Sequence, residues 1–315
     1  MKLAAMRRML SERGIQLTKS LGQNFLHEEK VIAKIAAAGE LTKADKVLEI
    51  GPGLGPLTEL LVAEAGEVLA IEMDARLVEI LRARFPERRF TLSDEPTPNP
   101  SKEGSPNPDA PSNGVPLLGG VRGGLPQTSA GLQLIHADAL KYLETNPRDW
   151  RGWKLVANMP YSVASPILVE LALLEHGPER MVVTLQLEVA KRLKAQANEE
   201  DYGLLTLLVQ LNYEPRAMFR ISAGCFFPQP NVDSACLTLV RRAKPLLTPE
   251  QTKAFVRIVK QAFSQRRKMM AKLLRADWPE EQLIRAMSEL NLSPQIRAEA
   301  VTLKQFVELT HKLVA

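Results

Sequence analysis

The stretch "DKVLEIGPGLGPLTELLVAEAGEVLAIEMD", Asp45–Asp74, decides the fold. "DKVLEI" is a short apolar run and reads as a buried strand. "GPGLG" is a glycine-rich turn. "PLTELLVAEAG" places apolar residues at helical spacing and stops at a glycine. "EVLAIEMD" is a second apolar run, closed by acids. Strand, turn, helix and strand in this order predict an α/β unit with parallel strands, because parallel neighbours need a crossover connection.

The pattern extends outward. Upstream, "HEEKVIAKIAAAG" has helical periodicity and ends at Gly39, a C-cap candidate. Downstream, "ARLVEILRARF" is a helix and "LQLIHADAL" a third strand. "WKLVAN" is a fourth strand, "SPILVELALLE" a helix, "RMVVTLQLE" a fifth strand and "VAKRLKAQ" a helix. "YGLLTLLVQLNYEPRAMFRI" gives a helix and a strand, and "DSACLTLVRR" the last strand. The expected fold class is α/β, a Rossmann-like doubly wound sheet. From about Lys244 only helical patterns remain, with "RRKMMAKLLRA" read as one of the helices. A boundary between Arg242 and Pro249 therefore divides the chain into 1–243 and an all-helical 244–315. Between the second helix and the third strand, residues 93–131 hold eight Pro and seven Gly in 39 residues. That composition cannot bury enough apolar surface to offset its ordering entropy, so it predicts a disordered insertion in a surface loop.

Composition narrows the function classes. The chain has 315 residues, 45% hydrophobic and 24% charged, as expected of a water-soluble protein with one large and one small domain. No apolar run reaches the roughly 18 residues of a membrane span. The basic start, "MKLAAMRRMLSERG", lacks the apolar core of a secretory signal and the serines of an organelle transit peptide. Cys225 and Cys236 fit a reducing compartment, and the cytoplasm is expected. Neither the cysteines nor the four histidines show ligand spacing, so no metal is expected. Net charge is only +5, but Arg241–Arg275 carries eleven basic residues against one acid, Glu250. A segment this one-sided suits contact with a polyanion, or forms a solvated helix face.

Gly51, Gly53 and Gly55 lie between a strand and a helix, where backbone can approach a ligand and helix N–H groups are free. Pro56 stands where a dinucleotide fingerprint needs its last glycine. The G-x-G-x-G pattern, with Glu72 following Gly51 by 21 residues at the next strand end, resembles S-adenosylmethionine methyltransferases. A carboxylate there can accept from both ribose hydroxyls. Asp138 in "HADAL" ends the third strand at the same sheet edge. It could accept from an adenine amino group, or cap the following helix. "NMPY", Asn158–Tyr161, ends the fourth strand. Asn and Pro are common turn residues, so a turn with a packed tyrosine is the plain alternative. The amino group of adenine is a poor nucleophile, because its lone pair is delocalised into the ring. The Asn158 oxygen and a carbonyl fixed by Pro160 can both accept from it and favour a more nucleophilic nitrogen. Tyr161 can stack on the base. The turn resembles that of methyltransferases acting on planar amino groups.

With "LGQNFL", "FFPQPNVDSACLTL", "AFSQRRKMM" and "IRAEAVTLKQF", the chain resembles the ribosomal RNA adenine N6,N6-dimethyltransferase family, and within it the enzymes of the small subunit. The matching stretches run in the family's order from Leu21 to Phe306. The resemblance implies a class I S-adenosylmethionine-dependent methyltransferase domain with a helical RNA-binding domain. It implies a monomer working on small-subunit rRNA within a pre-30S particle, at two adjacent adenosines of the 3′-terminal hairpin loop. By the same resemblance Asn24 and Leu26 would close over the cofactor. Gly51 and Gly53 would cradle it, Glu72 would bind its ribose and Asp138 its adenine. Asn158 would touch cofactor and target amine, with Pro160 and Tyr161 completing the catalytic turn. Phe226 would pack on the flipped-out base, although it could also be a core aromatic, with Phe227 as competitor. Arg266, Arg267 and Lys268, read as helical and fanned across about 200°, would hold RNA. Two rivals are the related large-subunit methyltransferases that confer macrolide resistance, and a catalytically silent RNA-binding or assembly factor. Intact Glu72, Asp138 and Asn158 argue against the second, which needs no cofactor site.

Overall fold

A computed structural model describes residues 1–15, 23–86, 89–91 and 131–314, with 89–91 known by backbone alone. The elements before the Pro/Gly-rich stretch are α1 (Leu3–Glu12), β1 (Phe25–Leu26), α2 (Glu29–Ala38), β2 (Lys46–Ile50), α3 (Pro56–Glu64), β3 (Glu67–Glu72), α4 (Ala75–Arg84) and β4 (Arg89–Thr91). After it come β5 (Gly131–His136), α5 (Ala139–Thr145), β6 (Trp153–Asn158), α6 (Ala164–Leu173), β7 (Arg180–Gln186), α7 (Leu187–Lys194), α8 (Leu204–Gln210), β8 (Tyr213–Ile221), β9 (Phe226–Phe227) and β10 (Ser234–Arg241). The chain closes with α9 (Pro249–Ala262), α10 (Met270–Leu274), α11 (Glu280–Glu289) and α12 (Leu303–Leu313).

The main sheet has the order β4-β5-β3-β2-β6-β7-β10-β8. Its first six strands are parallel, and β10 runs antiparallel to both β7 and β8. Neighbouring residues of each central strand enter opposite cores. Val47, Val68 and Val156 pack against Ile32 and Ile35 of α2 and Leu57 and Leu61 of α3. Leu48, Leu69 and Leu155 pack against Leu143 of α5, Ile167 and Leu171 of α6, and Val209 of α8. Burial on both faces explains why these strands read as continuous apolar runs rather than alternating ones. β2 leads to β3 on one side, while β6 lies on its other side, so the strand order reverses between β2 and β6. Ligands of open α/β sheets bind beyond the strand ends at such a point.

Three differences from the sequence reading have local causes. β4 is an additional edge strand, too short at three residues to show a period. Gly131, counted with the insertion, opens β5; the rest of that stretch, 93–130, lies outside the described residues. Gly39 does end α2, but with ordinary helical backbone, and Glu40 takes the positive φ. A Cβ on Gly39 would meet Leu41 Cγ and Val156 Cγ2 at 3.1 Å, so its smallness is what packing uses.

The C-terminal helices share a core with the sheet half. Phe255, Ile258, Met270, Leu274 and Phe306 pack with Leu207, Leu208 and Leu211 at α8, while Leu205 and Val209 of α8 face the sheet. Tyr202 ties the halves by donating to the Val301 carbonyl at 2.8 Å. The expected 243/244 division falls in the link between β10 and α9, yet α8 is common to both cores. α9 starts as its sequence suggests. Pro249 opens it, and Thr248 and Gln251 cap each other's backbone N–H groups.

Candidate cofactor cleft and catalytic turn

The strand ends at the switch point open into a cleft of about 350 Å³. Gly51 and Gly53 form its floor, both with left-handed backbone, φ 69° and 60°. A Cβ on Gly51 would stand 2.9 Å from Pro160 Cδ, and one on Gly53 2.9 Å from the Phe25 ring. The glycines thus satisfy a backbone requirement and let two side-chain walls close in.

Glu72, at the end of β3, is buried and braces this floor. Its Oε2 accepts from Gly53 N at 3.0 Å, and its Oε1 from Met73 N at 2.9 Å and Asp74 N at 3.0 Å. Burial raises its pKa, while the three backbone bonds pull the other way by favouring the anion. Asp74, the N-cap of α4, accepts from Arg76 N and from Gln23 Nε2 at 2.8 Å. Hydrogen bonds from the Arg76 side chain hold its pKa down at about 2, against the opposing effect of burial. Gln23 thereby anchors the "QNFL" segment to the cleft rim. Asp138 caps α5 through Oδ1, accepting from Lys141 N at 3.0 Å, and also lines the cleft. Its two sequence readings are compatible, because a carboxylate can serve a helix and a ligand together.

Asn158 ends β6, opposite Thr184 of β7 in the register, and lines the cleft beside Gly51. Its Nδ2 donates to the Asn24 carbonyl at 3.3 Å. Its Oδ1 is buried without a hydrogen-bond partner among the described residues. An unmet buried acceptor is costly, and such atoms call for an explanation. Here the oxygen belongs to a cleft-lining side chain, as it would to receive a donor from a ligand. Pro160 and half-buried Tyr161 continue the wall. The Tyr161 hydroxyl lies 2.5 Å from Ser234 Oγ, which fixes the ring, and burial raises its pKa. Asn24, Gly51, Gly53, Glu72, Asp138, Asn158, Pro160 and Tyr161 therefore meet in one cleft.

Other expected site residues do not join them. Leu26 and Phe226 are only 4% and 3% exposed and sit in the α2/α3-side core. The reason is parity. β1 and β9 pair with Phe25 opposite Phe227 and Leu26 opposite Phe226, and opposite residues share a face. Phe25 lines the cleft, while Phe227 packs beside α1 with Arg7 4.9 Å over its ring. Arg266, Arg267 and Lys268 are exposed, but they stand in a turn between α9 and α10, not on a helix. Arg266 donates to the Glu200 carbonyl at 3.3 Å, whereas Arg267 and Lys268 flank a separate hollow with Lys272. The residues missed in the sequence are Gln23, Phe25 and Asp74. The first two lie inside the quoted "QNFL", and Asp74 shows the N-cap signal of Asp before a helical run.

Among the described residues no cluster of three or more His, Cys, Asp or Glu is placed to hold a metal, and no helix is long and apolar enough to cross a membrane.

Comparison with known proteins agrees with this geometry. A sequence model described as "Ribosomal RNA adenine dimethylase" matches residues 14–94 and 125–314, leaving most of the Pro/Gly-rich stretch unmatched. The chain is 35% identical over 319 residues to the ribosomal RNA small subunit methyltransferase A of Pelotomaculum thermopropionicum, covering 97% of this chain and 94% of that protein. It is 34% identical over 311 residues to the protein of that name from Latilactobacillus sakei, covering 96% and 92%. A dimethyladenosine transferase from Plasmodium falciparum has the same fold, with TM-score 0.67, 20% identity and coverage of 90% and 95%. The 23S rRNA methyltransferase ErmE also shares it, with TM-score 0.62, 24% identity and coverage of 93% and 100%. Matched over most of its length by the family model and by full-length relatives, this chain belongs to the ribosomal RNA adenine dimethylase family.

Proposed function

We propose that this protein dimethylates N6 of two adjacent adenosines in the 3′-terminal hairpin loop of small-subunit rRNA, and so takes part in small-subunit biogenesis. Family membership makes it an S-adenosylmethionine-dependent rRNA adenine dimethyltransferase. The observation that carries the proposed chemistry is the buried, unpartnered Oδ1 of Asn158 at the cleft. An adenine amino group is the donor it lacks.

The residues present fit the cofactor. Gly51 and Gly53 leave space that a Cβ would fill, and carboxylates from β3 and α5 stand on the rim. Glu72 would accept a ribose hydroxyl on the Oε2 lone pair that its three backbone bonds leave over, and Asp138 would accept from the cofactor's adenine. S-adenosylmethionine, when bound, supplies a methyl group on a positively charged sulfur that needs no metal to activate it. The protein's part is positioning. In the first transfer Asn158 Oδ1 and the Met159 carbonyl, fixed by Pro160, would accept the two N6 hydrogens; in the second, one of them would accept the single hydrogen that remains. That localises the nitrogen lone pair and aims it at the cofactor side of the cleft. Tyr161, steadied by Ser234, would replace the stacking that the adenine loses on leaving the RNA. The N6 proton leaves to water after transfer. Alignment of this kind can supply much of the rate enhancement.

The helical half 244–315, with its exposed Arg266, Arg267 and Lys268, would hold RNA phosphates, as a monomer on a pre-30S particle in the cytoplasm. The test is incubation of the purified protein with labelled S-adenosylmethionine and undermethylated small subunits, then mapping of the modified bases. Dimethylation at two adjacent adenosines of the 3′ hairpin supports the reading. Label confined to large-subunit RNA, or no label with intact cofactor binding, overturns it.

A further inference from the structure

The basic start of the chain has no part in the mechanism above. It forms α1, which buries Met6 and Leu10 and leaves Lys2, Arg7 and Arg8 exposed, with Arg13 exposed just past its end. Met6 and Leu10 pack with Phe25 of β1, Leu54 of the glycine-rich turn, and Leu77 and Ile80 of α4. Phe25 and Leu77 also line the cleft. α1 is therefore docked against residues that form the wall of the cofactor site. The Arg7 guanidinium lies 4.9 Å over the ring of Phe227. Phe227 pairs in register with Phe25, so one rung of the β1–β9 ladder joins the cleft wall to this cation.

The outer face of α1 is one-sided in charge. Its acid is Glu12, which meets Arg8 at 3.7 Å with both side chains well exposed, and such pairs contribute little. Acids of the neighbouring elements are engaged elsewhere. Glu29 of α2 pairs with the N-terminal amine, Asp74 with Arg76, Glu79 of α4 with Arg82, and Asp233, beyond β9, with Arg220. Lys2, Arg7 and Arg13 have no carboxylate partner among the described residues. A guanidinium over an aromatic face uses its flat side for the ring and keeps N–H groups at its edge for a further acceptor, which suits phosphate. Stacking also holds the Arg7 side chain in advance, so less freedom is lost on contact. An amphipathic basic helix can instead lie on a lipid surface, but that use needs its apolar face. Here Met6 and Leu10 are already spent in the protein's own core, and the cationic face is what remains.

We propose that the cationic face of α1, centred on Arg7 over Phe227, is an RNA-phosphate contact of the sheet half, gripping the strand that delivers the target adenosine to the cleft. The inference rests on the reading of small-subunit rRNA as the substrate, and adds to it a surface outside the helical half. RNA is then held by both halves. The turn between α9 and α10 supplies charge from one, and α1 supplies it from the other, one strand pair away from the cleft wall. Contacts of this kind set affinity and its salt dependence and read no sequence.

The experiment compares the full chain with two double variants, Arg7→Gln with Arg8→Gln, and Arg7→Lys with Arg8→Lys. Calorimetry with S-adenosylmethionine comes first, because an undocked α1 would disturb Phe25 and Leu77 and lower cofactor affinity; unchanged affinity is expected for both. Binding to undermethylated small subunits, and separately to protein-free small-subunit rRNA, is then measured from about 50 to 200 mM salt. Two lost phosphate contacts lower the salt slope by about 1.4–1.8. The Gln variant should therefore bind both RNA forms more weakly, with a deficit that shrinks about tenfold across that range. The Lys variant keeps the charge and should keep the wild-type slope. Should the Gln variant undock, Arg13→Gln, past the end of the helix and outside its packing face, gives the same test with half the slope change. Equal binding by wild type and the Gln variant at every salt overturns the proposal. Equal loss in the Gln and Lys variants also overturns it, since the role would then be packing on Phe227. A loss on small subunits but not on free rRNA overturns it too, and assigns the face to an acidic protein surface of the particle. If the wild type binds the cofactor but neither RNA form, the rRNA reading itself fails and the proposal falls with it.

Discussion

In the cleft at the ends of β2, β3 and β6, polar atoms are held by several elements at once; in the turn between α9 and α10, three cations stand in solvent with few contacts. Glu72 is gripped by three backbone N–H groups, and Asn158 is tied to the "QNFL" segment. Arg266 makes one long bond to a carbonyl, while Arg267 and Lys268 are exposed. The difference matches the proposed roles. Aligning a nitrogen with a methyl group would tolerate little positional error, which suits strand ends braced by neighbours. Attracting phosphate would need charge without fine placement, which a turn can supply.

Breaking the first side of this comparison should have the largest effect. Asn158→Ala removes the unmet acceptor, and turnover is expected to fall by roughly 10²–10³-fold, as for the loss of one transition-state hydrogen bond elsewhere. Melting temperature should barely move, since the lost Nδ2 bond is long. Single-turnover kinetics beside a thermal melt checks both; undiminished turnover removes Asn158 from the chemistry. Gly53→Ala comes next. It places a Cβ 2.9 Å from the Phe25 ring at a positive φ. The backbone part alone should cost about 1–2 kcal/mol of stability. Cofactor affinity should fall with it, and calorimetry showing native affinity would mean that the floor is not in contact with the ligand.

Glu49, buried on β2, sharpens the comparison through pH. Burial raises its pKa in the folded protein to about 8, above the ordinary carboxyl value. The folded state thus binds this proton more tightly than the unfolded one. The stabilisation is fully present below the unfolded pKa near 4.5 and is lost as pH rises toward 8. The unliganded protein should lose melting temperature over that window, and Glu49→Gln should flatten the fall. A wild-type melt that is level across the same range would contradict the buried neutral acid.

A smaller effect concerns the stretch between β4 and β5. These strands are parallel, with Thr91 opposite Ile135. Returning from the end of one to the start of the next takes roughly a dozen residues. Joining Leu92 to Leu132 by a short linker should therefore undo β4, yet leave the cleft and its cofactor affinity intact. Loss of cofactor binding in that variant would tie the edge strand to the site. Smallest of all is the basic turn. Reversing Arg267 and Lys268 together should weaken subunit binding modestly and lower its salt slope by about 1–2 through two lost phosphate contacts. Arg266, which faces another hollow, should behave independently. Identical slopes for wild type and variant would assign the RNA contact elsewhere.

The sequence by itself determined the α/β class, the central strands, and the meeting of Gly51, Glu72, Asp138 and Asn158. Strands buried on both faces leave unbroken apolar runs, and residues just past parallel strand ends fall on one sheet edge whatever the loops do. Only the tertiary structure decided what depends on parity, on length or on a shared core. "QNFL" does not say whether Phe25 or Leu26 meets the cleft; pairing of a two-residue strand with β9 does. "RRKMMAKLLRA" has helical periodicity, but its helix is confined to Met270–Leu274, with the Met270 N–H given to the Ile296 carbonyl. The three residues of β4 are too few to show a period, and α8 gives one sequence to two cores. In each case the deciding partner lies far along the chain, where local propensity cannot register it, while its contacts outweigh the few tenths of a kcal/mol that local preference supplies per residue.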